Sequence, residues 1–176
     1  MNLSADDITA RLRGGIVDYL GLPTAGWTPS DFAESLLGIV EEGGQNKGPP
    51  DALYNLGLDD GSAWCATAVM AWYAAAGHPL HLLARQYWQW RAARSLSIGL
   101  EQYRLGKTQI AAGLRRDDVG FVERKGGSGM HCFLITRQLH DGSITTVEGN
   151  VGNRTVSLTR QPWELAAVCR PMPRTY

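Results

Sequence analysis

The first third of the chain has apolar residues at helical spacing. One face of the first predicted helix carries residues four positions apart: Ile8, Leu12, Ile16 and Leu20. Ser4 followed by Asp7 has the pattern of a capping box and predicts the start of this helix, and Gly21 predicts its end. The chain is therefore predicted to begin with an amphipathic helix.

A second helix is predicted from Thr28 and Pro29, because proline favours the first helical position. Its apolar positions are Phe32, Leu36 and Ile39. Gly43 and Gly44 predict its end. Residues 45–63 are rich in Gly, Pro, Asn and Asp, which predicts a loop with at most one short helical turn.

The next helix is predicted to start near Ser62, and residues 64–76 are small or apolar on every side. This pattern is typical of a helix that is buried all round. Gly77 and Pro79 predict its end. Residues 80–98 form a further helical stretch with leucine and aromatic side chains.

The second half of the chain has the composition of β-strands. Five short runs are separated by Gly, Asp, Asn and Pro: 119–122, 131–137, 143–148, 154–159 and 166–170. Successive strands joined by tight turns form an antiparallel sheet. A helical half followed by a strand half predicts an α+β fold.

Composition and charge narrow the class of protein. Of the 176 residues 44% are hydrophobic and 19% are charged, which describes one globular domain, 1–176. The 17 basic residues balance the 17 acidic ones, so we expect no nucleic-acid partner. The apolar stretch 64–77 is too short for a transmembrane segment. The N-terminus lacks the features of a signal peptide, so we expect synthesis in the cytoplasm without one.

Cysteine placement suggests a nucleophile. The three cysteines, Cys65, Cys132 and Cys169, are too few for a disulfide framework, and none belongs to a CxxC pair, so no structural zinc is expected. Cys65 lies at the predicted start of the buried helix, where unpaired N–H groups and the helix dipole favour a thiolate. Cys65 is a candidate nucleophile; the alternative is a small buried apolar residue, the usual role of a cysteine.

A nucleophilic cysteine needs a base, and His131 is the best placed of the four histidines. It follows a Gly-rich turn and opens a predicted strand, where a side chain is both rigid and accessible. The other three, His78, His81 and His140, lie beside a proline or a turn and are interpreted as solvent-exposed.

The strands on either side of residues 140–142 predict a hairpin that brings His131 opposite residues near 150, within one or two positions. Glu148 and Asn150 share a face of their strand, so either is predicted to contact the imidazole. Cys132 is predicted to point to the opposite face from His131. A nucleophile, a base and an acceptor that fixes the imidazole tautomer form the arrangement of a catalytic triad.

Several segments together resemble one protein family. They are Gly61-Ser62-Ala63-Trp64-Cys65-Ala66, Asp118-Val119-Gly120-Phe121-Val122, the strand opened by His131, and Thr146-Val147-Glu148-Gly149-Asn150. In this order they resemble CHAP domains, the cysteine, histidine-dependent amidohydrolases/peptidases of the papain-like and NlpC-like group. The runs that are similar to its phage and prophage lysin branch are Glu41-Glu42-Gly43, Asn46-Lys47-Gly48-Pro49 and Cys169-Arg170-Pro171. The resemblance covers residues 35–171 and leaves 1–30 as an N-terminal helical extension.

The resemblance implies a papain-like or NlpC-like fold in which the cysteine begins a buried helix packed on an antiparallel sheet. It implies Cys65 as nucleophile, His131 as general base and acid, and Glu148 with Asn150 as the residues that orient the imidazole. It also implies bacterial peptidoglycan as the substrate. We expect neither a cofactor nor a bound metal.

Two further residues are predicted to face the substrate. Trp64 adjoins the nucleophile and is expected to form a cleft wall. The oxyanion is expected to bind the backbone N–H of Cys65 and a second donor, for which Asn46 is the candidate. Asp59 and Asp60 are faintly similar to the acidic residues of calcium-dependent members, but calcium needs more oxygens than two carboxylates supply, so a solvated loop is predicted.

The chain departs from the family pattern in two places. The strand that normally opens with Gly-Asp has Asp117-Asp118, a change that a turn should tolerate. The histidine is normally preceded by Gly and followed by Val-Gly, whereas here Met130 precedes it and Cys132-Phe133 follow it. The second change is expected to crowd the face behind His131.

Three functions remain open. The first is hydrolysis of a peptidoglycan amide, by a stem-peptide endopeptidase or an N-acetylmuramoyl-L-alanine amidase. The second is a catalytically inactive papain-like module that binds the cell wall, and the third is a thiol protease or transferase that acts on proteins. A wall enzyme would act in the periplasm or outside the cell after release or injection, with a delivery or immunity protein as its partner.

Overall fold

The computed structural model describes residues 4–44, 46–54, 63–80, 92–126 and 129–171. Over these residues it contains six α-helices: α1 (Ala5–Leu20), α2 (Pro29–Ser35), α3 (Pro49–Tyr54), α4 (Cys65–Ala75), α5 (Ala93–Gly99) and α6 (Lys107–Ala111). Its five β-strands are β1 (Asp118–Glu123), β2 (Met130–Gln138), β3 (Ile144–Val151), β4 (Arg154–Arg160) and β5 (Ala167–Cys169). Helices precede strands, so the predicted α+β class is confirmed.

The strands form one antiparallel sheet with the order β4-β3-β2-β1-β5. Strands β1 to β4 are sequential neighbours, and β5 returns to pair with the other edge of β1. All five predicted strands are present. The hairpin of β2 and β3 pairs Leu134 with Val147, which brings the start of β2 beside the end of β3.

Helix α1 begins and ends as predicted. The Ser4 hydroxyl oxygen accepts a hydrogen bond from the backbone N–H of Asp7, and the Asp7 carboxylate accepts one from the backbone N–H of Ser4, each at 3.1 Å. Gly21 follows with a φ of 59°, which glycine adopts without strain. Leu12 and Ile16 of α1 are buried in the same core as α4, so the N-terminal extension shares that core.

Helix α2 is shorter than predicted. The apolar spacing predicted a helix that reaches Gly43, but α2 ends at Ser35. Gly38 adopts a φ of 86°, which ends helical geometry, and its N–H donates to the carbonyl of Thr155 in β4 at 2.9 Å. The backbone from Gly38 to Glu41 therefore lies along β4 instead of continuing a helix.

Helix α4 is the buried centre of the fold, as the pattern predicted. All eleven of its residues are buried, and it packs against α1, α2, β2 and β3. It begins at Cys65, whereas the predicted start at Ser62 lies outside the described residues. Within the described part of the chain, no helix combines the length and apolar character needed to cross a bilayer.

The remaining helices are short. Helix α3 is the single helical turn predicted within the loop 45–63, and α5 occupies the end of the predicted stretch 80–98. The aromatic positions predicted in residues 81–91 lie outside the described residues. Helix α6 was not predicted, because its five residues are too few to show a hydrophobic period.

The two faces of the sheet contact different partners. One face packs against α4 through Phe121, Cys132, Leu134 and Val147. The other face belongs to a second cluster that includes Val122, Phe133, Ile135 and Val168. Cys132 belongs to the first cluster, whereas the His131 ring lies beside Phe133 of the second, so the two side chains are on opposite faces as predicted.

The predicted crowding behind His131 is relieved by a glycine on the neighbouring strand. Phe133 pairs with Gly120, where a Cβ atom would lie 2.3 Å from the phenyl ring. The absent side chain leaves room for the ring, whose centroid lies 6.1 Å from that of His131.

Asp117 occupies the place at which the family pattern has glycine, and its conformation explains how. It adopts a φ of 71°, which aspartate tolerates better than most residues. Its Oδ1 accepts a hydrogen bond from the N–H of Ser30 in the first turn of α2 at 2.8 Å. The hydroxyl of Tyr73 in α4 donates to its carbonyl oxygen. Asp117 thereby joins α2 and α4 to the start of β1.

We expect Asp117→Ala to destabilise the fold more than Asp117→Gly, by about 2 against about 1 kcal/mol. Both variants lose the hydrogen bond to Ser30, but only alanine must also adopt the strained positive φ. Urea unfolding measures both free energies. Equal losses would show that the backbone conformation contributes nothing.

Candidate active site

The three predicted triad residues meet at one place in the structure. Cys65 is the first residue of α4, His131 is the second residue of β2, and Glu148 lies within β3. Their exposed fractions are 3%, 6% and 0%. The α4 helix packs against both strands, and this contact brings the helix N-terminus to the histidine.

Glu148 is the direct partner of the imidazole. Its Oε2 lies 2.9 Å from His131 Nε2, which donates the hydrogen bond because an ionised carboxylate can only accept. The sequence left Glu148 and Asn150 as alternatives for this contact. The structure assigns it to Glu148, and Asn150 donates instead from Nδ2 to Oδ1 of Asn46 at 2.9 Å.

Glu148 is also held by two residues that sequence reasoning missed. Arg160 of β4 binds both carboxylate oxygens, with Nε 2.5 Å from Oε1 and a terminal nitrogen 2.8 Å from Oε2. The Thr146 hydroxyl donates to Oε1 at 2.6 Å. Thr146 shares a strand face with Glu148 and could have been found by period-2 alternation. Arg160 could not, because its side chain reaches Glu148 diagonally across the strands.

These donors keep Glu148 ionised. Burial alone would raise its pKa, but the hydrogen bonds from Arg160, His131 and Thr146 outweigh burial and lower the pKa to about 2. The guanidinium also lies 4.9 Å from the centre of the Phe133 ring, which supports its orientation. A fixed, charged acceptor therefore faces the histidine.

His131 is held in its protonated form by its two neighbours. Burial acts to lower its pKa, while hydrogen bonds to Cys65 and Glu148, together with their charges, raise the pKa to about 9. Since Nε2 donates to Glu148, the hydrogen bond to Cys65 must come from Nδ1. The raised pKa favours the imidazolium form at neutral pH.

The surroundings of Cys65 favour its thiolate form. The hydrogen bond from the Cys132 side chain has the largest influence and lowers the Cys65 pKa; burial opposes it, and the hydrogen bond and charge of His131 reinforce it. The net pKa lies well below that of an ordinary thiol. Both pKa shifts favour the pair of a thiolate and an imidazolium, a state suited to nucleophilic attack.

Cys132 is more than a core residue. Its side chain faces α4, as expected, but there it meets Cys65 rather than apolar atoms alone. Burial and the neighbouring Cys65 thiolate raise its pKa well above the usual value, so it stays protonated and donates. Cys132 thus provides a hydrogen-bond donor to the nucleophile.

Replacing Cys132 with valine should raise the pKa of Cys65, because the variant keeps an apolar side chain but lacks the S–H donor. The pH dependence of Cys65 alkylation by iodoacetamide measures this pKa. The midpoint should move to higher pH, and it should not move in Cys169→Val, which alters a cysteine of β5. An unchanged midpoint in Cys132→Val would exclude this donor role.

Trp64 does not form a cleft wall, contrary to our prediction. Its side chain has an exposed fraction of 0% and stacks on Tyr54 with ring centroids 5.3 Å apart. A Cβ atom at Gly149 would lie 2.8 Å from the indole, so the glycine of the Glu-Gly-Asn segment makes room for Trp64. The indole is buried because it packs between Tyr54 of α3 and Gly149 of β3.

Asn46, the candidate oxyanion donor, belongs to a second polar network. Its backbone N–H donates to Oε2 of Glu41 at 3.0 Å, and Oε1 of the same carboxylate accepts from Trp64 Nε1 at 2.8 Å. Asn46 in turn accepts from Asn150. Sequence reasoning gave Glu41 no separate role, since nothing local indicates that it is buried.

The described residues include no group of three or more His, Cys, Asp or Glu side chains arranged to bind a metal ion. Asp59 and Asp60, considered above for calcium, lie outside these residues. When the chain was compared with protein-family models, curated proteins and solved structures, none matched.

Proposed function

We propose that the protein is a cysteine hydrolase of CHAP type that cleaves an amide bond of bacterial peptidoglycan. The observation that carries the proposal is the buried row Cys65, His131 and Glu148, in which a thiolate at a helix N-terminus pairs with an imidazolium oriented by a carboxylate. These residues supply the nucleophile, the base and the orienting acceptor that a catalytic triad requires.

The row supports a two-step acyl transfer. The Cys65 thiolate attacks the amide carbon, and the oxyanion binds the backbone N–H of Cys65 and the side-chain amide of Asn46. His131 then gives its Nδ1 proton to the nitrogen of the leaving amine as the C–N bond breaks. In the second step His131 takes a proton from water, whose oxygen attacks the thioester and releases the acid and the thiolate.

Peptidoglycan is proposed as the substrate on the basis of the motifs that resemble CHAP domains. Two amides fit the mechanism: the bond between muramic acid and L-alanine, and a bond within the stem peptide. Such an enzyme acts in the periplasm or outside the cell after release or injection, where a delivery or immunity protein would be its partner.

The alternative of an inactive wall-binding module is less well supported. Binding alone would not require a buried carboxylate with four donor contacts to hold a histidine beside a thiolate. Charged groups with strongly shifted pKa values in a buried site are typical of catalytic residues. An inactive module or an enzyme that acts on proteins would release no muropeptide fragments from peptidoglycan.

Mass spectrometry of muropeptides after digestion of purified peptidoglycan tests the proposal. An amidase should release whole stem peptides with a free L-alanine amine, whereas an endopeptidase should leave shortened stems on the glycan. Cys65→Ala should release neither. If the wild-type thiol is rapidly alkylated but no bond is cleaved, peptidoglycan is not the substrate.

A further inference from the structure

Glu41 is a buried carboxylate outside the triad, with an exposed fraction of 8%. Its two oxygens accept from different parts of the site: Oε1 from the indole N–H of Trp64 at 2.8 Å, and Oε2 from the backbone N–H of Asn46 at 3.0 Å. A buried acceptor with two donors of this kind stabilises both donors in one geometry. Glu41 therefore links Asn46 to Trp64, which are far apart in the sequence.

The sheet sets the position of this carboxylate. The backbone N–H of Glu41 donates to the carbonyl of Asn153 at 2.9 Å, and Thr155 donates to Ile39 at 2.8 Å. Val40 also pairs with Arg154. The segment that carries Glu41 is thus attached to the start of β4, next to the end of β3.

Through its hydrogen bond to Trp64, the Glu41 carboxylate holds the residue that precedes α4. Trp64 is the residue before Cys65, and its own side chain makes no capping hydrogen bond to the helix. The Trp64 carbonyl accepts the helical hydrogen bond from Ala68 at 2.9 Å. Because the peptide that joins Trp64 to Cys65 contains the N–H of the nucleophile, a rotation of Trp64 would reorient that N–H.

The same carboxylate also binds the backbone of Asn46, the second proposed oxyanion donor. Asn46 has a φ of 62°, a conformation that needs support from its surroundings. Support comes from Glu41 at its backbone and from Asn150 at its side-chain oxygen. Asn150, with a φ of 63°, lies two residues after Glu148, so the network ends beside the triad.

We propose that Glu41 is a positioning residue that holds the Cys65 N–H and the side-chain amide of Asn46 together as one oxyanion-binding pair. It touches neither the thiol nor the acyl group and acts through Trp64 and Asn46. The inference rests on acyl transfer at Cys65, as in the proposed function, but not on peptidoglycan as the substrate.

Two reactions of the same thiol separate this role from a general structural one. Acylation of Cys65 by p-nitrophenyl acetate passes through an oxyanion, whereas alkylation by iodoacetamide is a direct displacement that needs only the thiolate. Glu41→Gln keeps the size of the side chain but turns one acceptor into a donor that faces the N–H of Asn46. Acylation should fall by about 10- to 100-fold, while alkylation should change by less than about twofold. The exposed neighbour provides a matched control, because Glu42→Gln should leave both rates unchanged.

Trp64→Phe tests the same contact from the other side and decides the question if Glu41→Gln does not fold. It keeps a buried ring but removes the indole N–H, so it should also slow acylation selectively. The inference is overturned if the folded variants acylate at the wild-type rate, or if acylation and alkylation fall together. It is also overturned if the wild-type protein is alkylated but not acylated. Selective slowing in a protein that cleaves no peptidoglycan would support the role of Glu41 and refute the substrate proposed above.

Discussion

Replacing Cys65 with alanine should abolish hydrolysis and leave the protein folded. The substitution removes the nucleophile, and losses of a triad nucleophile reach roughly 10⁴- to 10⁶-fold in turnover. Alanine is a good helix former and fits the first turn of α4, so melting should stay close to that of the wild type. Muropeptide release measures the activity, and circular dichroism measures the fold.

Cys169→Ala is the matched control for this variant. Cys169 is buried in β5, and burial is the main cause that raises its pKa to about 12, so it is a protonated residue of the sheet. Its loss should lower stability slightly and leave turnover near the wild-type value. A second readout comes from His131, whose pKa should fall in Cys65→Ala because the thiolate helps to raise it. If Cys65→Ala digests peptidoglycan at the wild-type rate, the assignment of the nucleophile is wrong.

Glu148→Gln should reduce turnover by roughly ten- to a thousandfold with little change in substrate binding. The amide retains an acceptor but not the charge that stabilises the imidazolium, so the pKa of His131 should fall. The active pair needs a thiolate and an imidazolium, and loss of the imidazolium proton forms the alkaline limb of the kcat/KM profile. That limb should therefore move to lower pH.

Glu164→Gln controls for loss of charge near Arg160. Glu164 lies 3.9 Å from the Arg160 guanidinium and is exposed, and no contact joins it to His131 among the described residues. This variant should leave the alkaline limb in place. Should both variants shift the limb equally, the effect would be one of general charge rather than of the Glu148 contact.

The same carboxylate affects stability. Because the pKa of Glu148 is lowered from 4.5 to about 2, the folded state binds its proton less readily than the unfolded chain. Its contribution is complete above pH 4.5 and is lost as the pH falls toward 2. Acid unfolding of Glu148→Gln should lack this component.

Local signals predicted several elements correctly. The Ser4 and Asp7 capping box and Gly21 define α1, because capping depends on residues within one turn. The burial of α4 follows from a surface that is apolar on every side, whatever packs against it. Alternation along β2 was enough to separate His131 from Cys132.

The hairpin register was predictable only within a range. Turn position placed His131 near Glu148 and Asn150, but choosing between them requires the actual twist and pairing of β2 with β3. Asn150 adopts a positive φ and turns toward Asn46, which no alternation rule anticipates. The predicted end of α2 was wrong for a similar reason. The hydrogen bond between Gly38 and β4 stabilises an extended backbone there, although the apolar spacing favours a helix.

The sequence by itself determined the α+β class, the helix that carries Cys65 and the strand face that carries His131 with Glu148. These features depend on periodicity and on neighbours within a few residues. Only the tertiary structure decided that Arg160 binds the Glu148 carboxylate and that Cys132 donates a hydrogen bond to Cys65. It also decided that the indole of Trp64 is buried and donates to Glu41. Those contacts join residues far apart in the chain, so their geometry depends on how α4 and the segment before α3 pack against the sheet.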